Sequence, residues 1–290
     1  MYTFPTPAPI NAFVELSAGN LTVHASDRQD TRVQIRPRRA GRAGDQRLAE
    51  QTTVEFHDNR LTVIAPKPAN LLAWLGGFDA VEVFIELPTG SGLDAKSGAG
   101  SLSASGILGD TRFRSGAGSV VLDRATALTV KTGSGRISAA QVIGTLSAQS
   151  GSGAVEIGST HGEATLRSAS GRISVRSAHG PLSCTTAAGR VEIGLAEADT
   201  TVRTAHGKVT IGELVRGEVS VQTAAGRVEL GIRPGTAAWV DVSSQAGKII
   251  NSLRAEGPPT PGQDVVRLTA RTAAGDITLR HATQSASVGN

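Results

Sequence analysis

Apolar and polar residues alternate along the chain in short runs that return at a fixed interval. The runs are separated by a phrase of small residues that contains a glycine, as in SASGRISV (168–175), TTAAGRVEI (185–193) and RTAHGKVTI (203–211). The last glycine of the phrase stands at positions 100, 118, 135, 153, 171, 189, 207 and 226, so one repeat is about 18 residues long. A fixed period of this kind predicts a solenoid, in which each repeat stacks on its neighbours.

The register of the apolar residues within one repeat predicts two short strands. In the repeat around Gly171, Ile173 and Val175 follow the glycine, and Ala164 and Leu166 precede it. Alternation with a period of two buries one face of a strand, and stacked strands lie about 4.8 Å apart. The inward positions are spaced by two, seven and two residues, which excludes a three-sided prism with an aliphatic residue at every sixth position. The predicted fold class is all-β, a flattened two-sheet parallel β-solenoid (β-helix) with about 18 residues per rung.

The alternation reaches both ends of the chain. We therefore expect a single elongated domain over 1–290, with irregular N-terminal rungs in 1–95, regular rungs in 96–255, and a C-terminal loop and last rung in 256–290. Two longer loops, at roughly 37–51 and 66–79, interrupt the first part, and Arg47–Gln51 fits one helical turn. Two further glycines, at 247 and 275, continue the series in chain order.

The composition suits thin layers and a reducing compartment. Aromatic residues make up 3% of the 290 residues, so aliphatic side chains must fill the interior. The single cysteine, Cys184, excludes an internal disulfide. The opening residues MYTFPTPAPINAFVEL show no basic region followed by an apolar one, and no stretch approaches the roughly 18 apolar residues of a membrane span. We expect a cytoplasmic protein without a transmembrane segment.

Several stretches together resemble a known family. Besides the rungs, these are INAFVELSAGNLTVHASDRQDTRVQIRP (10–37), VEVFIELPTGSGL (81–93) and GTAAWVDVSSQAGKIIN (235–251). They resemble the actinobacterial β-strand-repeat proteins of unknown function that carry the label "putative adhesin". The resemblance covers nearly the whole chain and implies a β-solenoid without an assigned enzyme activity. It brings no functional residues with it.

The repeated small-residue motif also resembles a phosphate-binding loop. A P-loop needs G-x-x-x-x-G-K-[ST] between a strand and a helix, and no helical pattern follows HGKVT (206–210). We interpret the glycine as a turn residue that supplies positive φ. A serine or threonine stands three residues before each glycine, and we expect its hydroxyl to satisfy backbone groups at the corner.

Outward basic residues are the candidate binding surface. One column directly follows the glycines, and a basic loop lies at 36–47: the residues are Arg136, Arg172, Arg190, Lys208 and Arg227 in the column and Arg38, Arg39 and Arg42 in the loop. An acidic polymer would bind there through charge, and salt would weaken that binding steeply. Glu192 and Glu229 partly neutralise the column, and it holds no aromatic residues for stacking on bases.

Two other features leave alternatives open. The apolar segment Asn70–Phe78, which carries Trp74, is either a cap over an open end of the solenoid or a protein-docking patch. His161 and His179 occupy the same turn position in adjacent repeats, with Glu197 in the next. Three rungs span about 10 Å, too far for all three side chains to share one ion, so we expect no metal and no cofactor.

The chain shows neither G-x-S-x-G nor H-E-x-x-H, and we expect it not to be an enzyme. The predicted function is a non-catalytic adhesin-like β-solenoid scaffold or protein-binding module whose partner is another protein or a second copy. The alternative is nucleic-acid or anionic-polymer binding through the basic columns and the loop Arg36–Arg47.

Overall fold

A computed structural model describes residues 1–66, 79–254 and 260–282 of the chain. They fall into two compact units, Met1–Gly153 (unit 1) and Ala154–Asn290 (unit 2). Equivalent positions pair at the predicted period in parallel strands, since Ile173 pairs with Val155 on one side and with Val191 on the other. The predicted all-β, two-sheet parallel β-solenoid is confirmed. Within the described residues, no helix has the length and apolar character needed to span a bilayer.

The strands of unit 1 form two sheets. Some long strands belong to one sheet in their first half and to the other sheet in their second half. The elements are β1 (Tyr2–Pro5), β2 (Asn11–Ser26), β3 (Asp30–Pro37), α1 (Ala43–Gln51), β4 (Thr53–His57), β5 (Arg60–Ile64), β6 (Val81–Pro88), β7 (Gly92–Ala99), β8 (Leu102–Ala117), β9 (Val120–Thr132), β10 (Ile137–Val142) and β11 (Leu146–Ser150). The first half of β2 lies between β5 and β7, and its second half lies between β6 and β8. Gly19 begins the second half with φ 135°, a conformation that favours glycine.

The first strands of unit 1 depart from the parallel pattern. β4 pairs with β5, β3 with β6 and β1 with β3, all antiparallel. The rings of Phe4 on β1 and Phe56 on β4 stack with centroids 5.3 Å apart, and they join the outermost strands of the two sheets. Helix α1 has nine residues, so the expectation of one turn over Arg47–Gln51 is too short. Its first turn holds the buried Asp45, whose hydrogen-bond partners lie outside the helix. These contacts fix the residues before Arg47 and thereby lengthen the helix.

Unit 2 is parallel throughout its described strands. They are β12 (Val155–Thr160), β13 (Ala164–Ser168), β14 (Ile173–Ala178), β15 (Leu182–Ala188), β16 (Val191–Ala196), β17 (Thr200–His206), β18 (Val209–Leu214), β19 (Gly217–Ala225), β20 (Val228–Ile232), β21 (Ala237–Ala246), β22 (Ile249–Asn251), β23 (Val265–Ala274) and β24 (Ile277–His281). One sheet has the order β13-β15-β17-β19-β23-β21, and the other has the order β12-β14-β16-β18-β20-β24-β22.

Chain order and spatial order differ in the last rungs of unit 2. β23 lies between β19 and β21, and β24 lies between β20 and β22. The interpretation that Gly247 and Gly275 continue the series in chain order is therefore wrong in space. Therefore β21 and β22, although they precede β23 and β24 in the chain, form the terminal rung of the described part of unit 2.

The interior of each rung is aliphatic, as the alternation predicts. Leu166, Ile173 and Val175 are all buried. A further column of buried residues lies seven positions after most glycines and includes Ala178. The alternation with a period of two does not predict this column. Two consecutive residues, Arg176 and Ser177, are not buried and separate it from Val175.

The repeated positions require glycine because the neighbouring rung leaves no room for a Cβ atom, and not only because some of them have a positive φ. A Cβ atom on Gly135 would overlap the carbonyl oxygen of Gly118, although Gly135 has no positive φ. The same overlap with the preceding rung recurs at Gly189 and Gly207, and of these two only Gly207 has a positive φ. Glycine therefore lies on glycine from rung to rung, which corrects the interpretation based on φ.

Candidate binding surfaces

The basic column of unit 2 is largely neutralised by acidic neighbours. Arg190 Nη1 lies 3.3 Å from Glu192 Oε1, and Lys208 Nζ lies 2.7 Å from Glu229 Oε2. Arg227 Nη2 lies 4.0 Å from Asp276 Oδ2. The remaining predicted member, Arg172, is exposed and makes no ion pair with the described residues. Exposed pairs of this kind add little stability, but they reduce the positive field that an acidic polymer would meet.

Arg136, the first predicted member of the column, belongs to unit 1, where it precedes β10 and is exposed. Trp74 and the whole segment Asn70–Phe78 lie outside the described residues. The choice between a cap and a docking patch for that segment stays a prediction.

Two arginines of the 36–47 loop bind the protein's own carboxylates. Arg39 donates from Nε and Nη2 to the two carboxylate oxygens of Asp45, at 2.8 and 2.9 Å. Asp45 is fully buried in the first turn of α1, and it also accepts the backbone N–H of Ala80 at 3.0 Å. Arg42 Nε lies 3.1 Å from Asp79 Oδ1. The guanidinium of Arg39, more than any other group, holds the pKa of Asp45 below its ordinary value.

The predicted loop 36–47 is wrong as a loop, because it consists of the end of β3, a connection over 38–42 and the first turn of α1. Arg39 and Arg42 fasten that connection and the helix to Asp45 and Asp79. Arg38 differs, because its side chain is exposed while its backbone N–H donates to the Ala80 carbonyl at 3.0 Å. Sequence reasoning missed Asp45 because a single aspartate in a basic loop carries no pattern, and Asp79 and Ala80 lie more than 30 residues away.

The corner hydroxyls have the role that the sequence predicts in most of unit 1. Ser115, Thr132 and Ser150 each donate to the carbonyl of a glycine on the neighbouring rung, at 3.1 to 3.2 Å. In unit 2, Ser168 Oγ accepts the N–H of Gly171 at 2.9 Å. The Oγ1 atoms of Thr186, Thr223 and Thr272 are buried without a hydrogen-bond partner among the described residues.

The histidines of the turn column form a stacked, hydrogen-bonded row. The rings of His161 and His179 stack with centroids 4.7 Å apart, and His179 Nδ1 lies 2.8 Å from Glu197 Oε2. In the described part of the chain, no group of three or more His, Cys, Asp or Glu residues is arranged to hold a metal ion.

An open groove of about 580 Å³ lies on unit 2. Its lining includes outward side chains on β15, β17, β19, β23 and β21, and three alanines near the ends of β17, β19 and β23: Thr185, Arg203, Gln222, Arg271 and Ser243, with Ala205, Ala224 and Ala273. Five stacked strands make the groove about 19 Å long. Arg203 and Gln222 make no side-chain hydrogen bond or ion pair with the described residues, whereas Arg271 Nη2 lies 3.4 Å from Asp241 Oδ2. The sequence does not place Arg271 beside Gln222, because the rung order differs from the chain order.

The terminal rung of unit 2 exposes apolar side chains that sequence reasoning also missed. Trp239 is 63% exposed and Val240 is 37% exposed on β21, and Ile249 and Ile250 are 45% and 49% exposed on β22. The chain-order prediction placed another rung outside them. The irregular intervals around the last two glycines, 21 and 28 residues, were the available signal that regular stacking stops here.

Comparison with known proteins gives a family and several distant structures. Residues 12–280 match the model of the Toastrack DUF4097 family. None of the curated proteins matches the sequence. A "putative adhesin" structure from Bacteroides fragilis NCTC 9343 is 13% identical, with 96% of this chain and 95% of that chain covered and a TM-score of 0.38.

Two further "putative adhesin" structures come from Parabacteroides species. The one from Parabacteroides merdae ATCC 43184 is 11% identical over 96% of this chain and 94% of that chain, with a TM-score of 0.44. The one from Parabacteroides distasonis ATCC 8503 is 10% identical over 96% and 95%, with a TM-score of 0.37. None of these sources supports the actinobacterial subgroup that the sequence suggested.

Proposed function

Since the chain belongs to the Toastrack DUF4097 family, we propose that it is a non-catalytic, adhesin-like β-solenoid scaffold that binds another protein. The observation that carries this function is the groove on unit 2. Its stacked strands hold the lining side chains in a fixed row, so binding requires little reordering of the protein.

The chemistry of the groove favours a protein segment with exposed carbonyl or carboxylate oxygens. Arg203 and Gln222 present donors that no described residue uses, beside exposed alanines of the same strands. Arginine is enriched in protein interfaces, where its guanidinium forms directional pairs and its stem covers apolar surface. A groove of about 580 Å³ has room for several side chains of a partner.

Nucleic-acid binding has less support. Three of the four basic-column residues in unit 2 pair with carboxylates of the protein itself. Two arginines of the 36–47 loop are engaged by Asp45 and Asp79. A cytoplasmic location stays a prediction from the sequence.

The test compares two single substitutions in the full chain. The wild type, Arg203→Ser and Arg172→Ser are used as cross-linking baits in lysate of the source cells, and bound proteins are quantified by mass spectrometry. Both variants remove one exposed arginine without an ion pair among the described residues, but only Arg203 lines the groove. We expect a partner that the wild type and Arg172→Ser retain equally and that Arg203→Ser loses by about tenfold, the effect of one interface arginine.

Two results would contradict the proposal. One is a wild type that captures no protein above background. The other is a partner that Arg203→Ser retains in full. A gel shift of nucleic acid at low salt, abolished by changing Arg190 and Lys208, would favour the alternative function instead.

A further inference from the structure

The terminal rung of unit 2 has two strand edges without a partner among the described residues. β21 pairs with β23 on one side only, and β22 pairs with β24 on one side only. Trp239, Val240, Ile249 and Ile250 account for four of the nine exposed large apolar side chains in the described part of the chain.

The exposed apolar residues include continuations of buried columns. Val240 stands in register with Leu268, and Ile249 stands in register with Ile277. Leu268 and Ile277 are at most 1% exposed, because a further rung covers each of them. The terminal rung therefore leaves an open cross-section of the aliphatic interior between two unpaired strand edges.

The edge of β21 lacks the features that keep strand edges apart. No lysine or proline occurs in its ten residues, and Asp241 is its only charge. The first strands of unit 1 differ, since short antiparallel strands end its sheets there and Phe4 stacks on Phe56.

We propose that the terminal rung of unit 2 pairs with the terminal rung of a second copy of this chain, around a two-fold axis. A single extended peptide would cover one strand edge only. A second rung supplies two strand edges with aliphatic residues between them, and a second copy always carries one. Two-fold pairing brings each patch onto itself, with β21 antiparallel to its own copy.

The charges of the rung allow this self-pairing. Residues 237–251 contain one acidic and one basic residue, Asp241 and Lys248, so their formal charge is zero. Two copies therefore meet without net repulsion. The rung and the groove on which the proposed function rests meet at β21, where Ser243 lines the groove. Arg203 and Gln222 lie on β17 and β19, three and two strands away from the edge, so substitutions there test the groove separately from the edge.

The first test measures the mass of the full chain in solution by sedimentation equilibrium over a micromolar concentration range. We expect a monomer–dimer equilibrium that Val240→Lys weakens by at least about tenfold, because it brings two ammonium groups into the apolar contact. The matched control is Val121→Lys, which changes a valine that is 50% exposed on β9 of unit 1. Circular dichroism verifies that each variant is folded, and Ile249→Lys on β22 replaces Val240→Lys if that variant is not.

The second test locates the contact. Ser243→Cys places a thiol on the exposed side of β21, and mild oxidation should link it to its own copy if the edges pair antiparallel near this residue. Asp241→Cys tests the neighbouring outward position in the same way. Cys184 is buried and adds no background. A wild type that is monomeric throughout the range overturns the proposal, as does a dimer that Val121→Lys weakens as much as Val240→Lys.

Discussion

At Gly135, a Cβ atom would overlap the carbonyl oxygen of Gly118 on the neighbouring rung, and the same overlap recurs from rung to rung. Within the repeat of about 18 residues, the residue type is thus most restricted at the position where the backbones of two rungs meet. The hydroxyls beside these glycines complete the corner, since Ser150 Oγ donates to the Gly135 carbonyl at 3.1 Å and accepts the Gly153 N–H at 2.8 Å. The corner at Ser150 therefore combines close packing with satisfied backbone groups.

Alanine at Gly135 should destabilise the protein because the rungs must separate to admit the methyl group. We expect Gly135→Ala to lower the free energy of unfolding by about 1–3 kcal/mol, the usual cost of overpacking. Gly41→Ala is the matched control, since no heavy atom beyond its chain neighbours lies within 4 Å of the added Cβ. Urea unfolding followed by circular dichroism checks both, and equal midpoints would contradict the close-approach role.

The thiol of Cys184 should be inert in the folded protein. Burial raises its pKa to about 12, so almost no thiolate forms at pH 8. We expect Ellman's reagent to react with it slowly in buffer and rapidly in denaturant. A reaction in buffer as fast as that of an exposed cysteine would show that β15 is not packed as described.

Among the elements, α1 depends on one buried carboxylate. Asp45 accepts hydrogen bonds from Arg39 and from the backbone of Ala80, and it thereby joins the helix to the loop before it and to the residue before β6. The pKa of Asp45 is lowered, mainly by the hydrogen bond from Arg39. A carboxyl with a lowered pKa stabilises the fold above its unfolded pKa of about 3.9 and loses this contribution as the pH falls through the folded value.

Asp45→Asn should therefore lower stability at neutral pH and matter less in acid. We expect a loss of about 2 kcal/mol at pH 7, the scale of hydrogen bonds to a charged group. The difference from the wild type should shrink below about pH 4 as the wild-type carboxyl takes up its proton. Glu50→Gln, an exposed change on the same helix, is the control. Thermal unfolding from pH 7 to pH 3 measures both variants, and a gap independent of pH would refute the charge-based account.

The elements that follow local rules were predictable from the sequence, and those that depend on distant partners were not. The alternation that includes Ile173 and Val175 predicts their strand, because burial of one face of a sheet leaves a pattern within a few consecutive residues. The antiparallel pairing of β1 and β3 involves the distant contact of Phe4 with Phe56, and the length of α1 depends on the contacts of Asp45 with Arg39 and Ala80. No short pattern encodes such contacts. The basic column was predicted as an exposed surface, but the ion pair of Lys208 with Glu229 was not. These two residues are 21 positions apart in the sequence, and only the stacking of the rungs brings them together.

For the whole molecule, the decisive feature is the placement of β23 between β19 and β21. This order brings Arg271 beside Gln222 in the groove and leaves β21 as an edge strand. The sequence could not predict it, because the repeat phrase marks each rung without saying which rung is its neighbour. Both the protein-binding groove and the self-pairing rung depend on this one arrangement.

The most direct measurement is disulfide formation between cysteines placed on these three strands, in a Cys184→Ser background. Gln222 and Arg271 are direct neighbours in register, as are Arg271 and Ser243. Paired residues on adjacent strands lie within disulfide range, whereas Gln222 and Ser243 are two strands apart, about 10 Å, beyond that range. We predict intramolecular cross-links, identified by mass spectrometry, for Gln222→Cys with Arg271→Cys and for Arg271→Cys with Ser243→Cys, and none for Gln222→Cys with Ser243→Cys. A cross-link in the last pair without one in the first would contradict the rung order and, with it, the proposed groove and the proposed terminal rung.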